Sequence, residues 1–292
     1  MIEITQILSQ VKNKISQLDA EILLAYVLKV ERVHLKAYPN KILSSEQLLE
    51  FNNLVKRRIE HEPTAYIIGN KNFWDLNLIV TKDVLIPRQE TEILVEQALI
   101  KLPNDSSIKV LELGTGSGAV ALAIAKHLPK ITVIATDCSK AALTVAKLNA
   151  KLLNITNIKF FYGNWFNALR ARLDSSPTMS AQNDERAVTF KFDLIISNPP
   201  YISPHEINLC GKEIFYEPKI ALFADHNGIA CFEEIIYQST KYLKANGYLL
   251  LEHGFKQKDQ IISLLKTEKF VEIKNFLDLY GLDRAVIAKK SN

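Results

Sequence analysis

Residues 108–128, IKVLELGTGSGAVALAIAKHL, decide the fold of this chain. The apolar run at 108–113 is short, as a buried strand is, and AVALAIAKHL (119–128) is long enough for a helix. Between them stand glycines 114, 116 and 118, which permit a tight turn and let the backbone approach a ligand closely. Strand, glycine turn and helix open a βαβ unit, so the same alternation should continue downstream.

It does. ITVIATD (131–137) precedes a helical KAALTVAKLNAKLL, IKFFYGN (158–164) is a third strand, and FDLIISN (192–198) is a fourth. A helix at about 228–244 leads into GYLLLEH (247–253), and another at about 257–267 leads into FVEIKNFLD (270–278). A turn at Gly281 returns RAVIAKK (284–290) with no helix between, so these last two strands should pair antiparallel. Residues 92–292 are therefore expected to form a doubly wound, mostly parallel α/β sheet ending in an antiparallel hairpin. Residues 170–189, RARLDSSPTMSAQNDERAVT, are polar and longer than an ordinary connection, and are expected to be a mobile surface insertion.

Upstream the period changes. Ile4, Ile7, Leu8, Val11 and Ile15 share one helical face, and a second helix is expected at about 19–30. Ser44 and Gln47 have capping-box spacing, with Leu48, Phe51, Val55 and Ile59 following before Pro63 stops the pattern. Residues 1–72 thus read as a small all-α bundle with a packing or docking role, since no reactive constellation falls there. FWDLNLIV (73–80), a TKD turn and VLIP (84–87) suggest a β-hairpin, making 73–91 the connector.

Composition narrows the classes. At 48% hydrophobic and 23% charged the chain is globular rather than disordered. The net charge of +4 is spread without a basic stripe, which argues against a dedicated nucleic-acid binder. Cys138, Cys210 and Cys231 form no C-x-x-C pair, so neither a disulfide framework nor a zinc site is expected. The first residues lack a signal peptide's apolar core, and no window has the length and apolarity of a membrane span. A reduced, soluble, cytoplasmic monomer is expected, with no metal.

The spacing G-x-G-x-G departs from the G-x-G-x-x-G of dinucleotide enzymes. Asp137 ends the second strand, which brings it beside the glycine turn at the carboxyl edge of a parallel sheet, where ligands bind. Its carboxylate can accept both hydroxyls of a ribose. It could instead cap the following helix, although Ser139 can do that. Trp165, at the end of the third strand, suits either a purine-facing wall or the core.

Asn198 ends the fourth strand and is followed by Pro199, Pro200 and Tyr201. Proline has no N–H, so neither proline can extend the ladder, and each holds the residue before it extended. The Asn198 side-chain oxygen and the Pro199 carbonyl are two rigid acceptors suited to both protons of a planar NH2 group, with Tyr201 as a stacking face. Such acceptors return electron density to a delocalised nitrogen and strengthen as positive charge develops there. Asn198, Pro199 and Tyr201 are the candidate catalytic residues. His253 is read as structural rather than as a base.

Together, ELGTGSGAVALA (112–123), Asp137 and SNPPYI (197–202) resemble class I S-adenosylmethionine-dependent methyltransferases acting on planar NH2 groups. N-P-P-Y is shared with adenine-N6 DNA methyltransferases. VLIPRQETE (84–92), EP with ALFADHNG (217–228) and LEHG (251–254), with the helical segment in front, are similar to the release-factor glutamine methyltransferases, the HemK/PrmC family. That resemblance implies S-adenosylmethionine as cofactor, with Gly114, Thr115, Gly116, Ser117 and Gly118 around its methionine part. Asp137 would hold its ribose, Trp165 would lie on the adenine side, and Asn198 would lie near the methyl donor. Asn198, Pro199, Pro200 and Tyr201 would hold the substrate amide, and the segment with Arg88 and Glu90 would wall the site. The implied substrate is the glutamine of the Gly-Gly-Gln motif in peptide-chain release factors, with the helical bundle docking it and no stable nucleic-acid partner. An adenine-N6 nucleic-acid methyltransferase, a nicotinamide oxidoreductase and a non-catalytic binding module are the alternatives.

Overall fold

The computed structural model describes residues 2–170, 190–209 and 211–291. The segment 171–189, most of the expected insertion, lies outside the described residues. The chain divides into two compact units, one of residues 1–70 with 211–216, the other of 71–210 with 217–292.

The first unit is helical: Ile4–Val11, Gln17–Leu28, Arg32–Ala37, Ser45–Ile59 and Thr64–Ile68, with a small antiparallel pair of β1 (Ile2–Glu3) and β2 (Ile42–Leu43). Its core gathers Ile4, Ile7, Val11, Leu23, Leu24, Phe51 and Val55. The first helix ends at Val11, and Ile15 packs on that core from beyond it. The second helix begins earlier than expected because Ser16 caps it, its Oγ accepting from Asp19 N–H at 3.0 Å. Ser44 and Gln47 form the expected capping box.

The two-stranded sheet of β3 (Asn70–Phe73) and β4 (Leu76–Ile79) lies, but for Asn70, in the second unit. This corrects the hairpin expected around TKD: the turn is Trp74–Asp75, and 84–87 form no strand. The physical reason lies at Gly69, whose left-handed backbone ends the helix at Ile68 and frees Asn70–Phe73 to pair.

The main sheet contains β5 (Lys109–Leu113), β6 (Thr132–Asp137), β7 (Ile158–Tyr162), β8 (Phe192–Ser197), β9 (Leu243–Glu252), β10 (Phe270–Leu277) and β11 (Asp283–Lys290). Their order is β10-β11-β9-β8-β5-β6-β7. The five strands β5–β9 pair in parallel, while β11 runs antiparallel to both β9 and β10, as expected. Successive strand residues face opposite sides. Val110, Leu194 and Leu250 accordingly join one core with the helices Glu92–Lys101 and Ala119–His127. Leu111, Ile195 and Leu251 join another with Ala230–Tyr242 and Lys258–Thr267. The strand order reverses between β5 and its neighbours β6 and β8, so a crevice opens beyond their carboxyl ends.

No helix among the described residues is long and apolar enough to cross a membrane.

Candidate active site

A cavity of about 250 Å³ lies at that crevice, wholly within the second unit. After β5 the chain turns through Gly114 (φ 71°), Gly116 (φ 55°) and Gly118 (φ 86°), a left-handed region costly for other residues. Gly114 and Gly116 line the cavity. A Cβ on Gly114 would stand 3.4 Å from the Trp165 ring, whereas one on Gly116 would meet nothing within 4 Å. The other loop residues shape the turn from behind. The Thr115 hydroxyl donates to Glu112, the Ser117 carbonyl accepts from Asn149 Nδ2 at 2.9 Å, and Gly118 packs against Leu122 and Ala146.

Asp137 is brought to the same edge by β6. Its Oδ2 accepts from Gly116 N–H at 2.9 Å and its Oδ1 from Ser139 N–H at 2.8 Å. Each oxygen retains a second lone pair for a ligand hydroxyl. Burial raises its pKa above the usual aspartate value, and the N–H groups of Gly116, Ser139 and Cys138 oppose that rise. Ser139 caps the next helix through Ala142 N–H at 3.1 Å, which leaves Asp137 with no capping duty there. Trp165 lines the cavity and also packs against the core.

β8 delivers Asn198 to the cleft, anchored just before it by Ser197 Oγ, which donates to the Leu113 carbonyl at 2.8 Å. Asn198 Nδ2 lies 3.2 Å from Thr91 Oγ1, so the amide turns its nitrogen towards Thr91. Among the described residues no hydrogen bond reaches the Pro199 carbonyl. Asn198 and Pro200 line the cavity; Pro199 and Tyr201 do not. The Tyr201 hydroxyl instead reaches Glu252 Oε1 at 3.2 Å, and burial raises its pKa. Its carbonyl accepts from Gln257 Nε2 at 2.9 Å. Gly228 sits against that carbonyl so closely that a Cβ would be 2.1 Å from the oxygen.

The remaining wall comes from segments far apart in sequence. Val84 and Leu85 line one side, and Pro218, Ile220 and Phe223 another. Buried Glu217 ties them together, accepting from the Ile86 N–H at 3.1 Å and pairing with the Arg88 guanidinium. Arg88 thus fixes the wall without lining the cavity, and Glu90 lines a separate groove beside Glu92 and Glu96. His253 is fully buried, its ring held by the Gly254 carbonyl and Asn275, as a structural histidine is.

Several residues of the site were not singled out in the sequence. Glu112 lies beneath the glycine loop, and burial pushes its pKa up to about 8. Asn149 spends its amide on Ile79 N–H, Ile79 C=O and the Ser117 carbonyl. Cys231 lines the cavity, as does Cys138, whose place after Asp137 brings it near the site. Thr91, Glu217 and Glu252 stood within the quoted segments, but their partners are distant in sequence, and no local spacing reveals them.

The sheet order and the cleft define a methyltransferase fold. A methyltransferase from Pyrococcus furiosus shares it with a TM-score of 0.52 at 15% identity, over 82% of this chain and all of that one. Residues 104–277 match the model of a methyltransferase domain, and residues 1–69 match that of a PrmC N-terminal domain. The release factor glutamine methyltransferase of Coxiella burnetii is 44% identical over 278 residues, 95% of this chain and 93% of that protein. The Buchnera aphidicola (subsp. Baizongia pistaciae) protein of the same name is 41% identical over 94% and 92%. The chain belongs to the release factor glutamine methyltransferase family.

Proposed function

We propose that this protein transfers a methyl group from S-adenosylmethionine to the side-chain amide nitrogen (N5) of the glutamine in the Gly-Gly-Gln motif of peptide-chain release factors. The observation that carries it is the Asn198 amide on the cleft wall, its nitrogen occupied by Thr91, beside a Pro199 carbonyl that no described residue uses. Two acceptors so placed are complementary to an NH2 group. Membership in a family whose relatives bear that activity's name favours glutamine over adenine.

The residues fit the cofactor. Gly116 opens onto free space, Asp137 has lone pairs left for ribose hydroxyls, and the Trp165 ring lines the cavity next to Gly114. When bound, S-adenosylmethionine supplies an electrophilic methyl carbon on a sulfonium sulfur. Asn198 Oδ1 and the Pro199 carbonyl would accept the two amide N–H bonds and aim the nitrogen at that carbon. Transfer would join that carbon to the amide nitrogen, the S–C electron pair staying on sulfur and one amide proton passing to solvent, while Asn198 Oδ1 and the Pro199 carbonyl hold the nitrogen in line. As charge builds on nitrogen both hydrogen bonds strengthen, lowering the barrier without any residue changing its own protonation. Tyr201, lying behind the cavity wall, would brace the clamp. The helical unit would dock the release factor, and the reaction belongs in the cytoplasm with translation.

The test is transfer of tritium from labelled S-adenosylmethionine to a purified release factor. Loss of label when the acceptor glutamine is changed supports the proposal; undiminished label overturns it. Label entering DNA or RNA adenine would favour the second reading, for which N-P-P-Y is the motive.

A further inference from the structure

β8 fixes the near end of the segment from Asn198 to Tyr201, since Ser197 pairs in the sheet and its Oγ donates to the Leu113 carbonyl. Pro199 and Pro200 each lock one φ angle within it. The far end is the peptide between Tyr201 and Ile202. Its N–H donates to the Leu222 carbonyl at 3.0 Å, and its carbonyl accepts from Gln257 Nε2 at 2.9 Å.

Gln257 is buried and immediately precedes the helix Lys258–Thr267, which is rooted in the core through Ile261 and Leu265. Its own N–H donates to the Gly254 carbonyl at 2.9 Å, so its backbone is held as well as its side chain. All of the side-chain amide is in use. Oε1 accepts from Gly254 N–H at 2.9 Å, and Nε2 reaches the Gly228 carbonyl at 3.4 Å besides that of Tyr201. One side chain therefore joins three loops: the one after β8, the one before Ala230–Tyr242 and the one after β9.

Two glycines give it room. A Cβ on Gly228 would stand 2.7 Å from Gln257 Nε2, and one on Gly254 would stand 2.9 Å from Oε1 and 3.5 Å from the Tyr201 ring. The Gly228 loop is strained too: His226, Asn227 and Gly228 are left-handed in succession, at φ 52°, 57° and 85°. Such a run persists only where its surroundings hold it. The far end also continues into the cavity wall. Ile202 bridges Phe223, a lining residue, and its carbonyl accepts from Ala224 N–H at 3.0 Å.

We propose that Gln257 is a positioning residue of the acceptor clamp: its NH2 group holds the Tyr201 carbonyl and so, through the backbone of Pro200, fixes the direction of the Pro199 carbonyl that receives the substrate amide. This rests on the acceptor-clamp reading given above. Gln257 does not line the cavity, so its effect on the reaction passes through the loop it holds. Without its donor the buried Tyr201 carbonyl is left unpaired, and the peptide turns to find another partner.

Three measurements on the full-length protein test this. Gln257→Met keeps the length of the side chain without its hydrogen bonds. It should lower single-turnover methyl transfer about 10- to 100-fold, the effect of a small misplacement at a reacting centre, with cofactor Kd and the KM for a release factor changed less than about threefold. In hydrogen exchange of the same variant, the amides of Ile202 and Ala224 should open about tenfold faster or more, while those of β5 and β6 keep their native rates. In the native protein, which needs no variant to fold, the Gln257 side-chain NH2 protons should exchange about tenfold more slowly, or slower still, than those of exposed Gln89. A transfer rate within about threefold of native, exchange quickened throughout the second unit, or Gln257 protons as open as those of Gln89 overturns the proposal. Local quickening at Ile202 and Ala224 in a protein that methylates no release factor would instead overturn the substrate assignment and leave the positioning role standing.

Discussion

Asp137 Oδ2 accepts the backbone N–H of Gly116 at 2.9 Å, so the carboxylate proposed to hold a ribose also holds the glycine loop that lines the same cavity. Asp137→Ala should therefore raise the Kd for S-adenosylmethionine by more than a lost ribose contact alone, about 100-fold or more by calorimetry. It removes a charge-assisted acceptor worth about 1.5–3 kcal/mol and leaves a loop amide unpaired. Asp137→Asn keeps one acceptor and should lose less. An Ala variant binding within threefold of native would separate the loop from the acid.

Asn198 makes the opposite case. Asn198→Ala removes a clamp acceptor while leaving Gly114, Gly116, Asp137 and Trp165 in place around the cavity. Loss of one preorganised donor or acceptor at a reacting centre costs about 10²–10³ in kcat. That loss should appear in single-turnover methyl transfer, with cofactor Kd changed less than about threefold. Equal losses in turnover and affinity would mean that Asn198 serves the cofactor more than the acceptor.

Gly228 is the steric test. Its φ of 85° and its contact with the Tyr201 carbonyl leave no room for a methyl group. Gly228→Ala should force the Pro200–Tyr201 backbone outward, lowering kcat by at least tenfold. It should also destabilise the unit by about 1–3 kcal/mol in denaturant titrations. Gly116→Ala is the comparison: nothing lies within 4 Å of its Cβ, and there the strain comes from φ alone.

Glu112 carries a pH signature in stability. Its folded pKa is raised to about 8 from an ordinary 4.5, so the folded state binds the proton more tightly than the unfolded chain. Stability from this group is complete below the unfolded pKa and is lost as pH rises towards 8. The slope reaches at most about 1.4 kcal/mol per pH unit. Glu112→Gln, without cofactor, should flatten the decline in Tm between pH 5 and 8. An unchanged slope would show that another group is responsible.

Much of the fold was legible because its signals are local. The alternation of Val110 with Leu111, and of Leu194 with Ile195, divides between two cores, and a period of two reads directly from the chain. The glycine loop, Asp137 and Asn198 sit at strand ends, so topology alone brings them to one edge. The hairpin was misplaced because Gly69 was not read as a helix stop, although glycine in that role is a sequence signal. Glu217 with Arg88, and Thr91 with Asn198, join residues more than a hundred positions apart, and one sequence carries no mark of such pairs. Tyr201 was placed as a stacking face because N-P-P-Y is exposed when read by itself. Glu252, which accepts from its hydroxyl, ends β9, 51 positions further on.

The first unit contains residues 211–216 as well as 1–70. Within it Glu213 pairs with Arg58, and the Tyr216 hydroxyl donates to the Glu60 carbonyl at 2.9 Å. A cut after residue 70 would therefore yield no clean catalytic fragment. The larger piece would keep residues 211–216, with Glu213 and Tyr216 parted from Arg58 and Glu60, between the Asn198 loop and the Glu217 anchor. The two units are interleaved along the chain, and a truncation designed from the linear order of domains would cut one of them in two.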